Sequence, residues 1–93
     1  MDPRLTNPEA VAALGEKIYS ERYRKDYEHR FLGQFVVIDI QSEEAFVAPS
    51  PEEAVRLARG RMPDGVFHMI RIGEAGAFRV SYTARAASRG RLL

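Results

Sequence analysis

The chain has 93 residues and no cysteine. That length suits one domain whose core needs no external staple, and the missing thiols exclude disulfides, thiolate metal sites and cysteine nucleophiles together. An apolar fraction of 45% argues against disorder throughout, and the longest apolar run, Phe35 to Ile38, is far too short for a membrane span. Net charge is +1 but uneven: residues 1–74 hold 10 Lys+Arg against 13 Asp+Glu (−3), whereas residues 75–93 hold four arginines and no acid (+4).

Met1-Asp2-Pro3-Arg4 lacks an apolar signal segment, so a soluble cytoplasmic protein is expected. Asn7-Pro8-Glu9 is a helix start, with an Asn cap, proline at the first helical position and an acid in the first turn. The helix is expected to run to about Leu32, where Gly33 supplies a stop. Val11, Leu14 and Ile18 share one face. Continuing that face gives Arg22, Lys25 and His29, while Tyr19, Tyr23, Tyr27 and Phe31 recur every fourth residue on the other side. A straight helix on one surface does not explain this switch. Either the helix bends or breaks around Gly15 to Ser20, or it bridges two bodies, the second of which could be another copy of the chain.

Phe35 to Ile40 is β-branched and aromatic on both faces, as a central or doubly covered strand would be, and Glu44 to Ala48 returns as the second strand of a hairpin. Asp39 is read as an acid near a strand end facing solvent. Ser50-Pro51-Glu52-Glu53 carries a serine cap, a proline and a capping-box glutamate. Ala54, Val55, Leu57 and Ala58 are expected to form the buried face of that helix and Gly60 to end it. Pro63-Asp64-Gly65 reads as a turn with glycine at positive φ, leading into strand Val66 to Ile72. After Gly73-Glu74-Ala75-Gly76, the segment Ala77 to Thr83 alternates strictly, with Phe78, Val80 and Tyr82 inward and Arg79, Ser81 and Thr83 outward. The order is α-β-β-α-β-β, an α+β domain with a mostly antiparallel sheet of about four strands and a helix on one face. Residues 1–32 form the N-terminal helix, 33–84 the β-β-α-β-β domain and 85–93 a basic, flexible tail.

Catalytic and metal chemistry find little support in this pattern. His29 is read as exposed and His68 as packed with Val66, Ile70 and Ile72; no acid or second histidine stands at metal-ligand spacing from either. The glycines sit where elements end and form no phosphate loop. Neither Ser50 nor Ser81 lies in a Gly-x-Ser-x-Gly context. The expectation is a non-enzyme with no cofactor and no metal.

Gly33-x-Phe35-Val36-Val37-Ile38-Asp39, Ser50-x-Glu52-Glu53-Ala54 and Pro63-Asp64-Gly65-x-Phe67, leading to Ile70-Arg71-Ile72-Gly73, together resemble a group of small bacterial domains built from a hairpin, an S-x-E-E-A helix and a strand. Members are labelled hypothetical or antitoxin-like. The resemblance covers residues 33–73, rests on caps and strand patterns, and implies no catalytic residues. The sequence therefore reads as a non-catalytic protein-interaction module, homodimeric, with contacts through Val11, Leu14, Ile18, Tyr19, Tyr23 and Tyr27. The second reading is a small nucleic-acid-binding regulator using Arg22, Lys25, Arg85, Arg89 and Arg91, although acids at Glu16, Glu21, Asp26 and Glu28 mix the charge of the helix.

Overall fold

The computed structural model describes residues 7–73 and the backbone of residues 79–83. Helix α1 (Pro8–Ile18) starts at Asn7, whose side-chain oxygen accepts from the amides of Glu9 and Ala10 at 2.9 and 3.4 Å. These are donors that a helix start leaves without intrahelical partners. At Tyr19–Tyr23 the chain takes a π-helical turn, with the Arg24 amide bonded to the Tyr19 carbonyl five residues back. Helix α2 (Arg24–Arg30) follows, and Gly33, at φ +87°, reverses the chain beyond it.

The π turn resolves the switch of faces. It holds one more residue than an α turn, so the inward-facing positions move one residue along. After Ile18 a uniform α-helix would present Arg22, Lys25 and His29 to the sheet; with the extra residue Tyr23 takes the place of Arg22, and Tyr27 and Phe31 follow it at four-residue spacing. Val11, Ile18 and Tyr19 are buried, and Leu14, Tyr23, Tyr27 and Phe31 pack half-buried against the same cluster. Both halves of the helix thus cover one face of the chain's own sheet, and the bend is a change of winding.

Strands β1 (Phe35–Asp39), β2 (Ala45–Ala48) and β3 (Val66–Arg71) form an antiparallel sheet in the order β2-β1-β3. Val36 lies opposite Val47 on one side and Ile70 on the other. The backbone of Arg79–Thr83 (β4) runs antiparallel beside β3, with Ser81 opposite His68. The side chains of that segment and the whole of Phe78 lie outside the described residues, as do the basic tail and the first six residues.

Alternation along β1 and β3 builds two cores. Val36, Ile38, Ile40, Val66, Ile70 and Ile72 face the first helix. On the opposite side, Val37, Ala48, Phe67 and Met69 meet Ala54 and Ala58 of helix α3 (Pro51–Arg61). The architecture is α+β in three layers, helix, sheet and helix. β1 is covered on both sides because neither of its faces carries a run of polar residues.

Packing corrects several local expectations. The Ser50 hydroxyl accepts from the Glu53 amide at 3.2 Å, as a cap should, but α3 runs past Gly60 to Arg61. Leu57, assigned to the buried face, is 51% exposed. The sheet is met by the two alanines, whose small side chains allow close approach, and Leu57 is left on a flank. Gly65 serves space rather than positive φ: a Cβ there would lie 2.3 Å from Phe67 Cε1 and 2.9 Å from Asp39 Oδ1, while the positive-φ glycines are Gly33 and Gly73. Asp39 does not face solvent. It is fully buried, and its carboxylate accepts from the Ser42 amide at 2.9 Å and the Val66 amide at 3.0 Å. A buried acid is tolerated when backbone donors replace water. Asp39 thereby ties the β1–β2 turn to the start of β3.

Candidate functional site

Among the described residues two polar or charged residues are buried, and both have structural work. Asp39 is one. The other is His68, only 1% exposed, with Nε2 2.7 Å from Glu16 Oε2. The contact suits the imidazole tautomer whose Nε2–H donates to the carboxylate oxygen. Gly15 makes the approach possible: a Cβ at that position would stand 2.4 Å from the His68 Cβ. The histidine is sealed beneath α1, packed and hydrogen-bonded as its strand-face neighbours suggested, and substrate cannot reach it. Among the described residues no group of three or more His, Cys, Asp or Glu is gathered as a metal site would be. No described helix is long and apolar enough to cross a membrane.

A second constellation joins the π turn to the β1–β2 connection. The Tyr23 hydroxyl donates to the Glu43 carbonyl at 2.5 Å, and Arg22 Nη1 lies 2.7 Å from Glu43 Oε1. Glu43 has φ +66°, which is uncommon for a residue other than glycine, and these two bonds hold it there. The bond to Glu43 raises the Arg22 guanidinium pKa above its ordinary value. Further along, Tyr27 lies between Tyr23, to which it is tilted, and Phe31, which it meets edge to face, with ring centroids 5.1 Å apart in each pair. Burial, with smaller help from Tyr23 and Asp26, pushes the Tyr27 phenol up.

These contacts redistribute the residues singled out in the sequence. Val11, Ile18 and Tyr19 lie inside the chain's own core, and Leu14, Tyr23 and Tyr27 pack partly against it. Arg22 is engaged by Glu43, Arg24 by Glu28 and Arg30 by Asp26, which leaves the first helix a mixed surface rather than a basic one. Lys25 and His29 are exposed. Arg85, Arg89 and Arg91 lie outside the described residues.

The outer edge of β2 is, among the described residues, a surface with unmet bonding capacity. Among the described residues β2 pairs with β1 alone, so one row of its backbone N–H and C=O groups points outward. Its four residues, Ala45-Phe46-Val47-Ala48, carry no charge and no proline of their own; the strand's shortness, with Glu44 before it and Pro49 after it, limits the open edge to this one apolar stretch. Ala45, Phe46 and Val47 are half-buried. Helix α3 packs over the seam between β1 and β2. It contacts β1 and β2 alike, and Arg61 Nε reaches Glu44 Oε1 at 3.6 Å. That ion pair turns the flank bearing Glu53, Leu57 and Arg61 toward β2. The opposite flank, with Glu52, Val55, Arg56 and Arg59, lines a shallow, open depression.

Sequence reasoning missed Glu53, Leu57 and Arg61 as a surface set. A signal was present: acid, apolar and base stand at i, i+4 and i+8, one stripe along a helix. No protein-family model, curated protein or solved structure matches the chain. The resemblance to hairpin and S-x-E-E-A domains therefore stands on the quoted residues alone.

Proposed function

We propose that this chain is a non-catalytic protein-interaction module that assembles as a homodimer and serves as the antitoxin-like member of a gene pair. The observation that carries the reading is the apolar outer edge of β2, which among the described residues pairs with β1 alone. A row of backbone donors and acceptors flanked by Phe46 and Val47 gains from meeting another extended chain. The half-exposed Tyr23 and Tyr27 remain in the contact surface, while Val11, Leu14 and Ile18 act by holding the helix on the sheet. The reading takes the full order α-β-β-α-β-β and a sheet of about four strands as the unit, supported by the register of Arg79–Thr83 on β3.

Light scattering on the purified, nuclease-treated chain over a concentration series tests it. The expected mass is twice the monomer's 10.5 kDa. A mass of one chain at every concentration overturns the homodimer. The nucleic-acid alternative would instead show a salt-sensitive shift of added nucleic acid that disappears when Arg85, Arg89 and Arg91 are replaced.

A further inference from the structure

We propose that two copies join β2 to β2 about a two-fold axis, and that Glu53, Leu57 and Arg61 of α3 make this contact selective for the chain's own kind. The inference rests on the interaction-module reading and names its partner: a second copy.

Three geometric facts converge on one axis. First, α3 runs antiparallel to β2. The chain leaves β2 at Ala48, turns at Ser50, and Arg61 at the far end of α3 returns to Glu44 at the start of the strand. An antiparallel β2–β2 pair therefore lays the two α3 helices antiparallel too. Second, α3 packs on β1 and β2 alike, placing its axis near the seam between them. Across the junction the two helix axes stand about two strand spacings apart, roughly 10 Å. Packed helices are separated by about 8–10 Å, so the strands and the helices can close together. Third, the heights agree. Leu57 lies about 6 Å along the helix from Arg61, and the midpoint of β2 lies about 8 Å along the strand from Glu44.

The stripe is self-complementary about that axis. Leu57, one of two large apolar side chains well exposed among the described residues, meets the Leu57 of the second copy. Glu53 meets the second copy's Arg61, and Arg61 its Glu53. Among the described residues these charges make long, exposed contacts, Glu53 to Arg56 at 3.5 Å and Arg61 to Glu44 at 3.6 Å, which an opposing charge can replace. Pairing like with like gives acid against base only when the helices are antiparallel, which the strand pairing imposes.

Sedimentation velocity on the full chain and its variants tests this, with circular-dichroism melts confirming that each variant folds. Leu57→Asp is expected to be monomeric where the parent is dimeric. Glu53→Arg alone and Arg61→Glu alone each set like charges together twice and should weaken the dimer at least tenfold. An equimolar mixture of these two variants restores both acid–base contacts and should form the heterodimer, and the double variant Glu53→Arg/Arg61→Glu should recover the homodimer. A parent dimer indifferent to Leu57→Asp and to both charge reversals overturns this geometry and leaves the module reading standing. A parent chain that is monomeric throughout removes both. Reversals that weaken the dimer without rescue in the mixture overturn the Glu53–Arg61 pairing.

Discussion

At Gly15 the usual sign of a helix substitution is reversed. Replacing an interior helical glycine by alanine ordinarily stabilises by about 1 kcal/mol, because glycine loses the most backbone entropy on folding. Here the added Cβ meets the Cβ of His68 at 2.4 Å, with two ring carbons at 2.7 Å, on a strand that cannot retreat. Gly15→Ala is therefore expected to destabilise by about 1–3 kcal/mol, the usual cost of overpacking. Chemical denaturation checks it, and an alanine variant as stable as the parent would show that α1 sits farther from β3. Asp39 and Leu57 belong at this scale as well. Their residue types suggested a wet acid and a buried leucine; the assignments are exchanged because backbone amides, rather than water, surround Asp39 and two alanines occupy the contact expected of Leu57.

Among the elements, the first helix depends on one surplus residue. The π turn at Tyr19–Tyr23 lets Ile18 and Tyr23, five apart, take positions normally four apart. Deleting the exposed Ser20 should convert the turn to regular α-helix while keeping both apolar faces on the sheet. The deletion is expected to fold with stability within about 1 kcal/mol of the parent, an effect of surface-mutation size. Inserting an alanine at the same point should turn the second half of the helix away from the sheet and collapse the thermal transition. Equal damage from deletion and insertion would sink this account of the turn. The anomaly itself was legible in the sequence as a switch of apolar face near Ile18. Its resolution was not, because a π turn has no residue signature of its own and forms only where sheet packing rewards the altered phase.

For the whole molecule, three layers make the first helix part of the folding unit. Val36, Ile38, Ile40, Val66, Ile70 and Ile72 form a sheet face that only this helix covers among the described residues. Each such side chain contributes roughly 1.5–3 kcal/mol on burial, and a domain's entire stability is about 5–15 kcal/mol. A chain comprising residues 33–93 is accordingly expected to show no cooperative melt and to bind a hydrophobic dye. A sharp melt from that fragment would show that residues 33–84 stand alone and that the helix is an accessory.

The sequence by itself determined the punctuation: the Asn7 and Ser50 caps, the stop at Gly33, the hairpin between β1 and β2, and a first strand apolar on both faces. These features depend on bonds within a few residues, so local composition is enough to specify them. Tertiary structure alone decided the winding of the helix at Tyr19–Tyr23, the burial of Asp39, the exposure of Leu57 and the placing of β2 at an edge beneath α3. Each of these is set by which distant segment arrives beside a residue, so local composition can show that something is unusual, as the switch of faces near Ile18 does, without showing how the packing resolves it.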